Sequence, residues 1–371
     1  MPAVAKRLAF VDALKAIASQ FIVLHHLAFY GPMSDVANEL APALFSWLSQ
    51  DARIAVQVFL VIGGFLAAKA LAPAGQLLAV SPLGVLKKRY FKLIIPYAAA
   101  VLLSILCAAI ARSLMDHDSV PNAPTRWQLL AHIALLQNIL NFDALSAGIW
   151  YIAIDFQLFA LLLGILWLAR LTGIGSRSRE AAIPGIALVT ALALASLLCF
   201  NRYPYWDNWA LYFFGAYALG VLAFWATRAE QKPDWLLLMA VVVIAALIVD
   251  FRSRIALALI TALALGVSRR CGFVESLPKG KLLAYLGKIS YSVFLIHFPV
   301  ILVINAVFTK IAPESPAANA FGMVFAWLAS IAAGALFYRC VESRASHWQE
   351  LTASTLLRFL ERLFPAFRTK S

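Results

Sequence analysis

The sequence predicts an all-α polytopic membrane protein of about ten transmembrane helices, with both termini cytoplasmic. Three observations carry this prediction. Of the 371 residues, 63% are hydrophobic and 13% are charged, and the mean hydropathy is +0.84, far from the composition of soluble chains. Stretches of roughly 20 mainly apolar residues, the length a helix needs to cross a bilayer, recur from end to end. Between them fall short basic clusters: Lys6 and Arg7; Lys87, Lys88, Arg89 and Lys92; Arg170, Arg177 and Arg179; Arg269 and Arg270; Lys279, Lys281 and Lys288; Arg339 and Arg344. Cytoplasmic loops carry such an excess. The net charge of +13 therefore reads as topology, with membrane lipid or a phosphorylated ligand as further partners, and not as a nucleic-acid surface.

Taken in order, the apolar runs predict helices near residues 8 to 30, 53 to 72, 91 to 112, 149 to 171, 183 to 200, 208 to 227, 235 to 250, 254 to 268, 282 to 304 and 319 to 340. The first follows a basic start and continues through His25 and His26 to Gly31-Pro32 without a small-residue cleavage signature, so it reads as a retained signal anchor. Segments 31 to 52, 113 to 148, 201 to 207 and 305 to 318 then face the other side. The stretch 127 to 142 is apolar but short and ends in Asn138, Asn141 and Asp143, which predicts a re-entrant or interfacial helix. Arg252 and Arg254 fall on the outer side, against the charge rule. If 235 to 250 and 254 to 268 are one interrupted element, the count changes.

Residues 1 to 345 are expected to form one integral membrane domain and 346 to 371 a basic, amphipathic cytoplasmic tail. No internal repeat or inverted pair of broken helices is apparent, which weakens a secondary-transporter reading. Cys107, Cys199, Cys271 and Cys340 lack metal-ligand spacing, so no metal and no disulfide framework is expected.

Ionisable groups within such helices are costly and mark candidate sites. In the first helix Lys15 and His26 differ by eleven positions, a net rotation of roughly 20°, and Asp12 and His26 by roughly 40°. His26 lies roughly 16 Å along the axis from Lys15, so the nearer partner of Lys15 is Asp12, three residues back. One face thus carries a charge pair at one end and an imidazole at the other. Asp155 and Gln157 enter the helix after Gly148 at a depth close to that of His26. A His26–Asp155 contact is expected, because a carboxylate would fix the imidazole tautomer and stabilise its protonated form. Arg89 and Lys92 are spaced to grip phosphates. Late in the chain, His297 shares a face with Ser290, and Pro299 frees a backbone carbonyl.

These residues resemble the acyltransferase-3 family of integral membrane O-acyltransferases. Asp12, Lys15 and His26 are similar to the family's opening, with His25 secondary. Val56 to Leu66 resembles its second helix, with Gln57 and Gly63 where Asp and Ser are common. Arg89 and Lys92 match its basic pair, Gly148-Ile149-Trp150 to Gln157 its Trp-containing helix with Asp155 for the usual Glu, Leu286 to Val300 its Ser-Tyr-Ser and His-x-Pro segment, and Tyr338 to Glu342 its closing motif.

The resemblance implies transfer of an acyl group, usually acetyl from acetyl-CoA or another acyl-CoA, to hydroxyls of extracytoplasmic carbohydrate or glycolipid at the bacterial inner membrane. His26, Asp155 and Asp12 are then the expected catalytic residues, and Lys15, Arg89 and Lys92 the donor-binding ones. His25, Trp150, Gln157, Ser290, His297 and Glu342 are supporting. His26 is either general base or transient acyl carrier. Ser19, Tyr151, Gln157 or Ser290 would supply oxyanion donors. The competing class is a transporter or flippase that uses the same charges as a substrate path.

Overall fold

The computed structural model describes residues 7–78, 81–172, 182–228, 231 and 234–345. The expected tail at 346 to 371, with Lys6, Arg177 and Arg179, lies outside the described residues. The described residues form helices and their connections, without a strand.

The ten expected apolar runs each become a helix. They are α1 (Ala9–Phe29), α4 (Val56–Leu71), α5 (Pro82–Leu114), α7 (Trp150–Leu171), α8 (Ile183–Leu198), α9 (Ala210–Ala226), α10 (Asp234–Val249), α11 (Ser253–Arg270), α12 (Lys281–Ile311) and α13 (Pro316–Cys340). Three shorter helices, α2 (Pro32–Ala37), α3 (Pro42–Gln50) and α6 (Arg126–Ile133), lie in the connections. Among the described residues, seven helical stretches are long and apolar enough to cross a membrane, while α9 and α10 are apolar but shorter. The protein is thus an all-α polytopic membrane protein. Large apolar side chains on the rim, such as Ile248, Phe321 and Leu336, are exposed, as a lipid-facing surface requires.

Two helices outrun their expected lengths. Ser81 Oγ accepts from Gly84 N at 3.3 Å and Pro82 opens α5, a preorganised N-terminus that starts the helix nine residues before the expected position 91. Helix α12 continues past Pro299 to Ile311.

Interhelical bonds fix the up-and-down order. Trp225 Nε1 at the end of α9 donates to Ala72 O after α4, at 2.8 Å. Phe10 N donates to Val274 O between α11 and α12 at 3.1 Å. These ends form one face, with Lys15 and the basic start of α5. At the opposite face, Met33 N donates to Asn305 Oδ1 at 3.0 Å. There Arg252 Nη1 donates to Leu197 O and to Asn201 Oδ1, both at 2.9 Å, and Arg254 Nη2 to Asn201 O at 3.0 Å. These two arginines terminate α8, which accounts for positive charge on a face where topology disfavours it. The break between α10 and α11 at Asp250 to Arg252 makes them separate helices.

Close crossings depend on glycine. A Cβ at Gly64 of α4 would lie 1.9 Å from Tyr217 O of α9, and one at Gly220 of α9 would lie 1.9 Å from Val61 O of α4. Small residues of this kind let membrane helices approach backbone to backbone.

The connection between α5 and α7 dips into the bundle. Thr125 and Gln128 form a capping box that starts α6. Below it Tyr90 Oη donates to Ile133 O at 2.8 Å and Gln157 Nε2 to Leu135 O at 3.2 Å. The chain then returns to Leu145, whose carbonyl accepts from Ser104 Oγ at 2.7 Å. This is the short apolar element expected as re-entrant or interfacial, and protein groups satisfy its backbone.

Candidate active site

At the basic face, Arg7 Nε pairs with Asp12 Oδ2 at 2.5 Å. This corrects the expected Asp12–Lys15 pair. The longer, forked guanidinium reaches over the first turn and neutralises Asp12, and Lys15 makes no ion pair or hydrogen bond among the described residues. Half-buried, Lys15 has Asp12, Lys92, Glu342 and Arg89 as its charged neighbours. The structure therefore brings together the three cations that the sequence grouped only by type. Glu342 accepts from Ser292 Oγ at 2.5 Å, which ties the end of α13 to α12 and leaves the carboxylate beside Lys15 and Lys92.

Deeper in the bundle, Arg89 Nη2 pairs with Asp155 Oδ2 at 2.5 Å, with the Asp155 side chain 8% exposed. Asp155 therefore does not meet His26, and the expected His26–Asp155 contact is corrected. A carboxylate held away from water is stabilised more by a permanent cation than by an imidazole that must first gain a proton. Around the pair stand Tyr151, Tyr217 and Tyr291. Arg89 Nε and Tyr97 Oη are buried without a hydrogen-bond partner among the described residues. Gly63 lies against the same pair, since a Cβ there would sit 3.3 Å from Asp155 Oδ1. The family's commoner Ser would crowd this Asp155.

His26 meets His297. His26 Nδ1 lies 2.6 Å from His297 Nε2, and His297 Nδ1 lies 3.2 Å from Val293 O. The ring planes are 8° apart with centroids 4.9 Å apart, the geometry of two imidazoles bonded edge to edge and not stacked face to face. His26 is 6% and His297 0% exposed. Gly148, at φ +78°, lets the backbone before α7 close on this pair: a Cβ there would sit 3.2 Å from His26 Cε1 and 3.1 Å from Phe294 Cζ.

The depth arithmetic that suggested Asp155 serves His297 equally. It lies seven residues, roughly 10 Å, from the expected helix end at 304. The preference for a carboxylate as the partner of an imidazole concealed it.

The remaining candidates divide by what holds them. His25 Nδ1 bonds Leu48 O at 3.0 Å and ties α1 to the segment after it. Trp150 packs on Phe213, with centroids 5.5 Å apart. Among the four candidate oxyanion donors, Ser19 donates to Ala16 O, Ser290 to Gly287 O and Gln157 to Leu135 O. The Tyr151 hydroxyl alone of the four makes no hydrogen bond among the described residues. It opens α7 beside Gly148 and packs on Phe294, with centroids 5.5 Å apart.

Above the imidazoles, Tyr30 packs on His26 and Phe298, and Phe298 clusters with Met115 and Ala147. Beyond this apolar layer a hollow of about 710 Å³ opens at the opposite face, lined in part by Arg112, Asp116, His117, Asp118 and Asn122. His117 Nε2 bonds Asp35 Oδ2 at 3.0 Å at its edge. Among the described residues, no three His, Cys, Asp or Glu side chains converge as metal ligands.

The fold defines a polytopic membrane protein with a tyrosine-lined charge cluster around Arg89 and Asp155 and a buried imidazole pair. Residues 8–339 match the family model Acyl_transf_3, described as an acyltransferase domain. The chain belongs to this acyltransferase family and is a membrane acyltransferase. No curated protein and no solved structure matches it.

Proposed function

We propose that the protein transfers an acyl group, acetyl in the first instance, from cytoplasmic acetyl-CoA to a hydroxyl of an extracytoplasmic glycan or glycolipid in the bacterial inner membrane. The basic face is then cytoplasmic. The observation that carries this reading is the separation of two chemistries along α1. Lys15 and Lys92, with Arg89 held by Asp155 behind them, supply positive charge for the CoA phosphates, and roughly 16 Å further along the axis from Lys15 His26 has an Nε2 that makes no hydrogen bond among the described residues. The polar hollow beyond Tyr30 supports approach of a hydroxylated acceptor from the other face.

In the reaction, the acceptor oxygen attacks the thioester carbonyl carbon while its proton passes to His26 Nε2, because an unassisted sugar hydroxyl is a poor nucleophile at neutral pH. The carbonyl oxygen gains charge and accepts a hydrogen bond that the Tyr151 hydroxyl donates. Collapse of the tetrahedral intermediate breaks the carbon–sulfur bond, and the CoA thiolate takes the proton back from His26. An ester and free CoA result.

The test uses purified protein in lipid nanodiscs with radiolabelled acetyl-CoA and methyl glycosides of glucose, galactose, rhamnose and N-acetylglucosamine. Labelled ester and free thiol should appear in equal amounts, and His26→Ala should lower turnover by about 10²- to 10⁴-fold. An isolable acyl-enzyme would make His26 a carrier and overturn the base assignment. Ester on no glycoside, with unchanged O-acetyl content of surface glycans in cells lacking the protein, would refute the reading. Movement of intact glycoside across vesicles would favour a transporter.

A further inference from the structure

We infer that His297 is a positioning residue that fixes the His26 tautomer, in the place where a carboxylate is ordinarily expected. Val293 O is a backbone carbonyl and can only accept, so His297 Nδ1 at 3.2 Å carries the hydrogen. A neutral His297 then has a bare Nε2. That lone pair accepts from His26 Nδ1 at 2.6 Å, so the His26 hydrogen sits on Nδ1 and its Nε2 is bare. Nε2 is the atom the proposed chemistry needs as base.

The opposite assignment, with both nitrogens of His297 protonated, places a cation in a fully buried position with no carboxylate beside it. Asp155, the carboxylate expected to serve His26, is held by Arg89, and among the described residues the titratable side chains packed on the pair are His25 and Tyr30. Isolated charges of this kind are strongly disfavoured away from water.

During the reaction, protonation of His26 Nε2 turns the Nδ1–H bond to His297 into a charge-assisted one, which strengthens it as the charge develops. The His297 Nδ1–H to Val293 O bond polarises in the same direction. No net proton has to leave the pair. The near-coplanar rings, 8° apart, keep both lone pairs in line. On one side Gly148 closes on His26 and Phe294.

This inference rests on His26 as the base, and the experiment separates the two. Radiolabelled acetyl-CoA and the four methyl glycosides are used with nanodisc-embedded wild type, His297→Leu and His297→Gln. Glutamine carries one acceptor for His26 Nδ1–H and one donor for Val293 O, and so preserves the tautomer. His297→Gln should retain turnover within about tenfold of wild type, whereas His297→Leu should lose about 10²- to 10⁴-fold in kcat. The KM for acetyl-CoA should change little in either.

Should His297→Leu fail to fold, His297→Asn replaces it. Its shorter amide cannot reach both partners, so it should fall at least tenfold below His297→Gln. Equal losses in the Gln variant and its comparison variant, or an unimpaired His297→Leu, would overturn the relay while leaving the acyltransferase reading intact. A wild type that esterifies no glycoside would remove the reading itself.

Discussion

Replacing Asp155 by Asn tests which partner the buried carboxylate serves. The Arg89–Asp155 pair has an N···O distance of 2.5 Å, with side chains 30% and 8% exposed. With charge centres about 4 Å apart and an effective dielectric near 20, the attraction is about 4 kcal/mol. Removing one partner of a buried pair costs about 3–5 kcal/mol, since the other charge is left uncompensated. The partial exposure of Arg89 and the oxygen that Asn retains both reduce this figure, so Asp155→Asn should destabilise by about 3 kcal/mol.

The stranded charge is the cause, so removing it as well should restore most of the loss. The double variant Asp155→Asn/Arg89→Gln should lie within about 1–2 kcal/mol of wild type, and the two substitutions should be strongly non-additive. Reversible unfolding in mixed detergent micelles gives each free energy. A loss below about 1 kcal/mol for Asp155→Asn, or additive losses in the double variant, would refute the reasoning.

Gly64→Ala should be severely destabilising, because its Cβ would fall 1.9 Å from Tyr217 O and force α4 from α9; thermal unfolding in detergent reads this, and a near-normal melting temperature would contradict it. Tyr151→Phe should leave the fold unchanged and lower kcat by about 10²- to 10³-fold, the usual effect of losing one oxyanion donor. Equal turnover in steady-state acetyl transfer would remove Tyr151 from that role.

Much of this protein was legible in its sequence. Apolar length marks where helices can cross a bilayer, because the backbone must satisfy itself there; all ten runs became helices, and among the described residues seven helical stretches are long and apolar enough to cross. Helical periodicity set Lys15 and His26 on one side of α1, and the short apolar stretch 127 to 142, ending in Asn138, Asn141 and Asp143, marked a re-entrant or interfacial element. The family followed from six motifs in order, over residues that the family model then matched from 8 to 339.

Which ionisable group meets which was decided by tertiary structure. Periodicity fixes rotation about a helix's own axis, but pairing between helices depends on their mutual register. That register is set by contacts such as Gly64 on Tyr217 and Gly287 on Asp12, which are remote in sequence. Asp155 therefore meets Arg89, Asp12 meets Arg7 and His26 meets His297. The chain by itself determined that charges lie inside the membrane, because composition and length leave them nowhere else. Only the packed bundle determined their partners, because a charge in a low-dielectric interior settles on the best counter-group that neighbouring helices bring within reach.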